Sequence, residues 1–129
     1  MGAGLMVPYE YATIQAMPRV ERGELINVGV VLYCQRRDFL AAHTQLHEAR
    51  LLALDPNADL DNIRAALQAW EITCTGGPDG GAAREMKQGE RFRWMVAPRS
   101  TILRAGPVHM GLTEDPAVEL DRLLELLVH

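Results

Sequence analysis

Cysteine is scarce in this chain: Cys34 and Cys74 are the only two in 129 residues. Neither sits in a CxxC or a Cys/His spacing, which excludes a zinc ribbon or a thioredoxin-like motif and leaves two buried, reduced thiols as the expectation. Long apolar runs are missing too. Nothing approaches the roughly 20 residues that a membrane helix needs, and the opening MGAGLMVP has neither the charged nor the long apolar region of a secretory signal. Met6 stands where a myristoylation signal carries Ser or Thr. A cytoplasmic chain without membrane attachment is expected.

An excess of positive charge is also lacking. Lys and Arg number 13 against 17 Asp and Glu, a net charge of −4, so the overall field does not favour nucleic acid and only a local basic patch would. Catalytic signatures are equally thin. His43, His47, His109 and His129 form no HExxH, so a metal site would have to assemble from distant segments. Ser100 and Thr101 lie in no GxSxG-like elbow. The GGPDGG stretch lacks the Gly-Lys-Ser/Thr ending of a phosphate loop and follows a helical pattern instead of a strand. No metal or cofactor is expected, and a catalytic role is the less favoured reading.

What is present is ordinary globular composition, 48% hydrophobic and 23% charged, long enough for one domain over residues 1–129. YEYATIQAM, residues 9–17, reads as a first strand with Tyr9, Tyr11 and Thr13 on one face and Ala12, Ile14 and Ala16 on the other. LINVGVVLYC, residues 25–34, is almost continuously apolar, as suits a central strand covered on both faces, with Ile26, Val28, Val30 and Leu32 lining one of them. QRRD turns the chain into a third antiparallel strand, FLAAHTQL, completing a meander.

EARLLAL predicts a short helix stopped by Asp55-Pro56. Asp59 then caps a longer helix whose Leu60, Ile63, Leu67, Trp70 and Cys74 make an apolar stripe. A flexible glycine-rich loop is expected over residues 75–90, followed by RFRWMVAP and STILRAGPVHM as extended segments joined near Pro98. Asp115 as cap and Pro116 at the first helical position open a last helix with Leu120, Leu123, Leu124 and Leu127 on one stripe. The predicted fold is α+β: an antiparallel sheet of four to five strands, with the two longer helices packed on one face.

Arginine carries the remaining chemical signal. Arg19 and Arg22 flank the entrance to the second strand, and Arg99 sits in APRST, where Ser100 and Thr101 add donors. Planar guanidinium groups suit bidentate capture of a carboxylate or phosphate. The plainer expectation is that Arg22 or Arg99 pairs with Glu21 or Glu24 and fixes the loop. The carboxylates at Asp59/Asp61 and Glu114/Asp115 are explained by helix starts.

Three stretches, YEYATIQAMPRVERGELINVGVVLYC, EARLLALDPNADLD and RFRWMVAPRSTILRAGPVHMGLTEDPAVELDRLLELL, resemble the bacterial domain-of-unknown-function family 3037, with RGExxNVGVVL and APRST as the specific phrases. The resemblance leaves out only the first eight residues and the glycine-rich loop. It implies a small cytosolic protein with no established activity, often encoded beside HipA-like serine/threonine kinases, and hence an accessory or interaction module for such a kinase. Its phrases point to Arg22, Gly23, Glu24, Asn27 and Gly29 and to Arg99, Ser100 and Thr101 without giving them roles. Gly23 suits a positive φ, and Gly29 suits a bulge or a close backbone approach. Asn27, an amide among apolar neighbours, needs a partner if buried, and the Arg99 turn is one candidate. The expected partner-binding set is Arg19, Arg22, Glu24, Asn27, Arg99, Ser100, Thr101 and His109. The alternative is a small enzyme or sensor that binds an anionic small molecule, phosphorylated or a nucleotide, through the same arginines.

Overall fold

A computed structural model describes residues 5–75, 87–97 and 102–128. Strand β1 (Val7–Ala16) alternates as its sequence requires: Ala12, Ile14 and Ala16 are buried on one side, Val7 and Tyr9 on the other. A 3₁₀ turn at Val20–Arg22 follows, closed by Gly23 at φ 66°, and leads into β2 (Ile26–Cys34). A second 3₁₀ turn, Gln35–Arg37, leads into β3 (Phe39–Thr44). Both connections are antiparallel, so β1, β2 and β3 form the expected meander.

The outer edge of β1 is shared by two strands. β5 (His109–Thr113) pairs with its first half, from Val7 opposite Thr113 to Tyr11 opposite His109. β4 (Leu103–Ala105) pairs with its second half, from Ile14 opposite Ala105 to Ala16 opposite Leu103. The five-stranded antiparallel sheet therefore runs β3-β2-β1 and then β4 and β5 in tandem. This is the α+β sheet that the sequence predicts.

Register in β2 is broken once. Ile14 faces Gly29, but Gln15 faces Asn27, so Val28 is an extra residue in the ladder. Such a bulge turns the strand over locally. Ile26 and Val28 consequently pack in one core, with Val31 and Tyr33, while Val30, Leu32 and Cys34 pack in the other. Strict alternation would place Ile26, Val28, Val30 and Leu32 together; the extra residue divides them. Glycine is required at the crossing because a Cβ on Gly29 would lie 2.8 Å from the His43 carbonyl oxygen and 3.1 Å from Ile14 Cδ1.

The helices correct the expected placement. On the face of Ala12, Ile14 and Ala16 lie α1 (Glu48–Leu54), α2 (Leu60–Thr75) and α3 (Gln88–Val96), contributing Leu51, Ile63, Leu67, Cys74, Phe92 and Met95. On the opposite face α4 (Pro116–Leu127) sets Leu120 and Leu123 against Val7, Tyr9, Val30 and Leu32. The two longer helices thus sandwich the sheet instead of sharing a face, because β2 is apolar on both sides and must be covered twice. Caps follow the sequence: Asp59 Oδ1 accepts from the Asn62 amide at 3.1 Å, and Asp115 Oδ1 from those of Ala117 and Val118 at 3.0 and 3.4 Å.

RFRWMVAP is also corrected, from extended to the helix α3. Arg91, Phe92 and Met95 are its buried residues, the i, i+1, i+4 spacing of one helical face, and Phe92 stacks on Tyr33 with centroids 5.5 Å apart. Part of the glycine-rich stretch 75–90 is helical as well: Thr75 ends α2, and Gln88 to Glu90 begin α3. Residues 76–86 lie outside the described residues.

Burial attaches α4. Fully burying a leucine is worth about 1.5–3 kcal/mol, more than the ~0–1 kcal/mol of an exposed polar contact such as His43–Asp121, at 2.9 Å between β3 and α4. The bulge makes a direct prediction. Gly29→Ala meets backbone and should cost about 2 kcal/mol or more, whereas Gly23→Ala, with nothing within 4 Å but a positive φ, should cost about 1 kcal/mol. Denaturant midpoints order the two, and a smaller loss for Gly29→Ala would mean that β3 gives way.

Candidate functional site

Helix α2 has a second stripe beside its core-facing one. Asn62, Ala66, Ala69, Trp70 and Thr73 follow the helical period and flank Ile63. The two alanines are short, so space remains between α2 and its neighbours. Trp94 and Met95 of α3 bound that space, as do Ile102 and Leu103 at the start of β4. The result is a groove of about 390 Å³, open to solvent, with Trp94 46% and Ile102 39% exposed. Both tryptophans of the chain, Trp70 and Trp94, line it.

Its chemistry is apolar. Among the described residues the lining has no charged or titratable side chain, and its polar members are Asn62 and Thr73. The Thr73 hydroxyl donates to the Ala69 carbonyl at 2.8 Å. Cys74 lies behind the wall with its sulfur 3.8 Å from Met95 Sδ. Burial pushes its thiol up to about 12, Arg91 opposing and Glu71 adding, so it is a protonated thiol and not a nucleophile at neutral pH. No three His, Cys, Asp or Glu converge as a metal site among the described residues.

The predicted site residues are dispersed differently. Arg19, Arg22 and Glu24 share the turn between β1 and β2, where Arg19 Nε meets Glu21 at 2.9 Å and Arg22 Nε meets Glu24 at 2.6 Å. Glu21 is held below the usual carboxylate range, first by its own backbone amide and then by Arg19. Two guanidinium groups and two carboxylates leave this turn with no net charge. Two residues before Arg19, the Met17 amide donates to the carbonyl of Ile102 at 2.7 Å, but no residue of the turn lines the groove. His109 stands on β5 with its ring 5.3 Å from that of Tyr11 and does not line the groove.

Asn27 projects to the other side of the sheet. Its Nδ2 donates to the Leu127 carbonyl at 3.1 Å, and Arg50 donates to that of Val128 at 3.2 Å. These carbonyls end α4 and have no partner within the helix. Asn27 therefore acts as a C-terminal cap supplied by the sheet. Arg99, Ser100 and Thr101 lie outside the described residues; the residues on either side of that segment, Trp94 and Met95 before it and Ile102 and Leu103 after it, line the groove.

The groove is not legible in the sequence because Trp94 lies in a stretch that reads as extended, while Trp70 belongs to the stripe that does pack on the core. The usable signal is the pair of alanines at Ala66 and Ala69, one turn apart on an otherwise bulky helix. A three-residue polar cluster lies elsewhere, where α4 meets β1. Tyr9 donates its hydroxyl to Glu119, and Arg122 holds Glu119 through two contacts of 2.7 Å.

A family model described as protein of unknown function (DUF3037) matches residues 11–128. No curated protein and no solved structure matches the chain.

Two predictions follow from the polar contacts of α4. Asn27→Ala should destabilise the fold by about 1 kcal/mol, read from denaturant melts, because it leaves the Leu127 carbonyl without its donor; an unchanged midpoint would mean that water replaces Asn27 at this carbonyl without cost. Burial, with the Glu119 carboxylate adding, pushes the Tyr9 hydroxyl from 10.0 up to about 12. Folding thus favours the neutral phenol, and its contribution is full below pH 10 and lost as pH rises towards 12. Wild type should therefore lose stability more steeply across that window than Tyr9→Phe, as equilibrium unfolding at successive alkaline pH values will measure. Parallel curves would remove Tyr9 as the cause. On the acid side Arg122, acting first, holds Glu119 below the usual carboxylate range, so its contribution is present above that range and lost as pH falls.

Proposed function

The chain belongs to the DUF3037 family, whose description assigns no activity, and from that premise we propose that it is a non-catalytic protein-interaction module. The observation that carries this reading is the groove of Trp70, Trp94, Met95 and Ile102, apolar, open and without a titratable group among its described lining. Protein interfaces concentrate their energy in tryptophan anchors at a dry centre and set arginine and polar groups at the rim. The groove offers the first, and the Arg19–Arg22 turn beside Ile102 offers the second. The partner we put forward is a HipA-like serine/threonine kinase, as the family resemblance implies, with this chain as its accessory subunit.

A volume of about 390 Å³ falls within the range of small-molecule sites, which favours a second reading as a sensor of a compact apolar ligand. A phosphate or nucleotide suits the described lining less well, because it supplies no cation and the neighbouring arginines already face carboxylates.

The test uses the tryptophans themselves. Both belong to the groove, so intrinsic fluorescence reports its occupancy without a label. Titration with a HipA-like kinase should shift the emission to the blue, and Trp94→Ala should weaken binding about tenfold or more while leaving the melting temperature close to wild type. Kinase binding that ignores Trp94→Ala overturns the groove as the surface. No binding to the kinase, together with a blue shift on titration with compact apolar ligands, replaces the module by the sensor.

A further inference from the structure

We infer that the free edge of β5 pairs with the same edge of a second copy of this chain, joining two five-stranded sheets into one continuous antiparallel sheet. β5 is bonded to β1 on one side, and no described strand occupies its other side. Edge strands of soluble proteins are normally protected by lysine, proline, a bulge or a covering element. The sequence HMGLT, residues 109–113, carries no acidic or basic residue other than His109 and no proline. Met110 is 74% and Leu112 60% exposed, large values for apolar side chains on a sheet.

The surroundings of the strand fit this occupant. Met110 and Leu112 lie opposite Glu10 and Pro8 on the same face of the sheet. The single charge in this group, Glu10, is already held by Arg93 at 2.6 Å. The patch is therefore apolar and offers no charge by which a foreign strand would be selected. On the other face the strand is locked from within: the Tyr9 ring lies over Gly111, and the Thr113 hydroxyl both donates to the Asp115 carbonyl and accepts from its amide, each at 3.1 Å. A strand held in its bound conformation loses little entropy on pairing.

The register that pairs the whole of β5 with its copy is centred on Gly111. A two-fold axis through Gly111 places Met110 opposite Leu112 of the second copy and His109 opposite its Thr113, and the same contacts recur on both sides. No two like charges face each other over the paired segment. The apolar residues of the two patches become neighbours across the seam, each cross-strand pair contributing in the usual way of sheets. Five paired residues and their exposed side chains cover roughly 400 Å² per copy, about half of a standard interface, so the dimer should be weak and dependent on concentration.

Sedimentation velocity of the full chain over a wide concentration range tests this. Wild type should move from monomer to dimer as concentration rises, whereas Met110→Lys and Leu112→Lys should remain monomeric over the same range with unchanged melting temperatures in dilute solution. Both positions are exposed, so folding is spared. Trp94→Ala, which alters the groove and not the edge, should dimerise as wild type does. A wild-type chain that stays monomeric overturns the proposal, as does a dimer that survives both lysine variants or is abolished by Trp94→Ala. Because the readout is self-association alone, it stands or falls separately from kinase binding.

Discussion

Everything in this fold depends on β2 serving two cores at once. A strand alternates its side chains, so an apolar strand sandwiched between helix layers must divide its residues between them. The extra residue at Val28 changes where that division falls: it gives Ile26 and Val28 to the α2 and α3 side and Val30, Leu32 and Cys34 to the α4 side. Gly29 is the condition for it, since the His43 carbonyl leaves no room for a Cβ. The same reversal turns Asn27 towards α4, where its amide meets the Leu127 carbonyl. One glycine in the family phrase thus explains the conduct of an asparagine two residues away.

The groove is a by-product of how the other layer closes. α2 packs through Ile63, Leu67 and Cys74, and the neighbouring stripe, where Ala66 and Ala69 are short, borders an open groove. α3 fills part of the gap with Phe92 and Met95 but turns Trp94 outward. A large aromatic ring beside unfilled space is poor economy for a core and good design for an interface, because its apolar area is recovered only when something else covers it.

Legibility in the sequence tracked how local the cause was. β1, the meander, the short α1 and the capped α2 and α4 were readable because alternation, Asp caps and Pro116 act within a few residues. α3 was not, since nine residues carrying arginine, phenylalanine and tryptophan fit two periods about equally well and tertiary contact with Tyr33 decides between them. The side on which α4 packs was misread, although the continuous apolarity of LINVGVVLYC already required cover on both faces. The ion pairs of the Arg19–Arg22 turn were foreseeable from neighbouring signs; the groove beside it was not, because Trp70, Trp94 and Ile102 meet only through the packing of three elements.

The two open surfaces share a face of the sheet, and α3 stands between them. Arg93 reaches one way to Glu10, beneath the Met110 and Leu112 patch, while Trp94, the next residue, lines the groove. Successive helical residues point about 100° apart, so one short helix borders both regions without joining them. Each surface is apolar and locally uncharged on a chain whose net charge is −4. Charge therefore sits where it is neutralised or solvated, in the Arg19–Glu21, Arg22–Glu24, Arg93–Glu10 and Arg122–Glu119 pairs. Anything that covered either surface would therefore meet shape and apolar area before charge, while a net charge of −4 acts on the molecule as a whole.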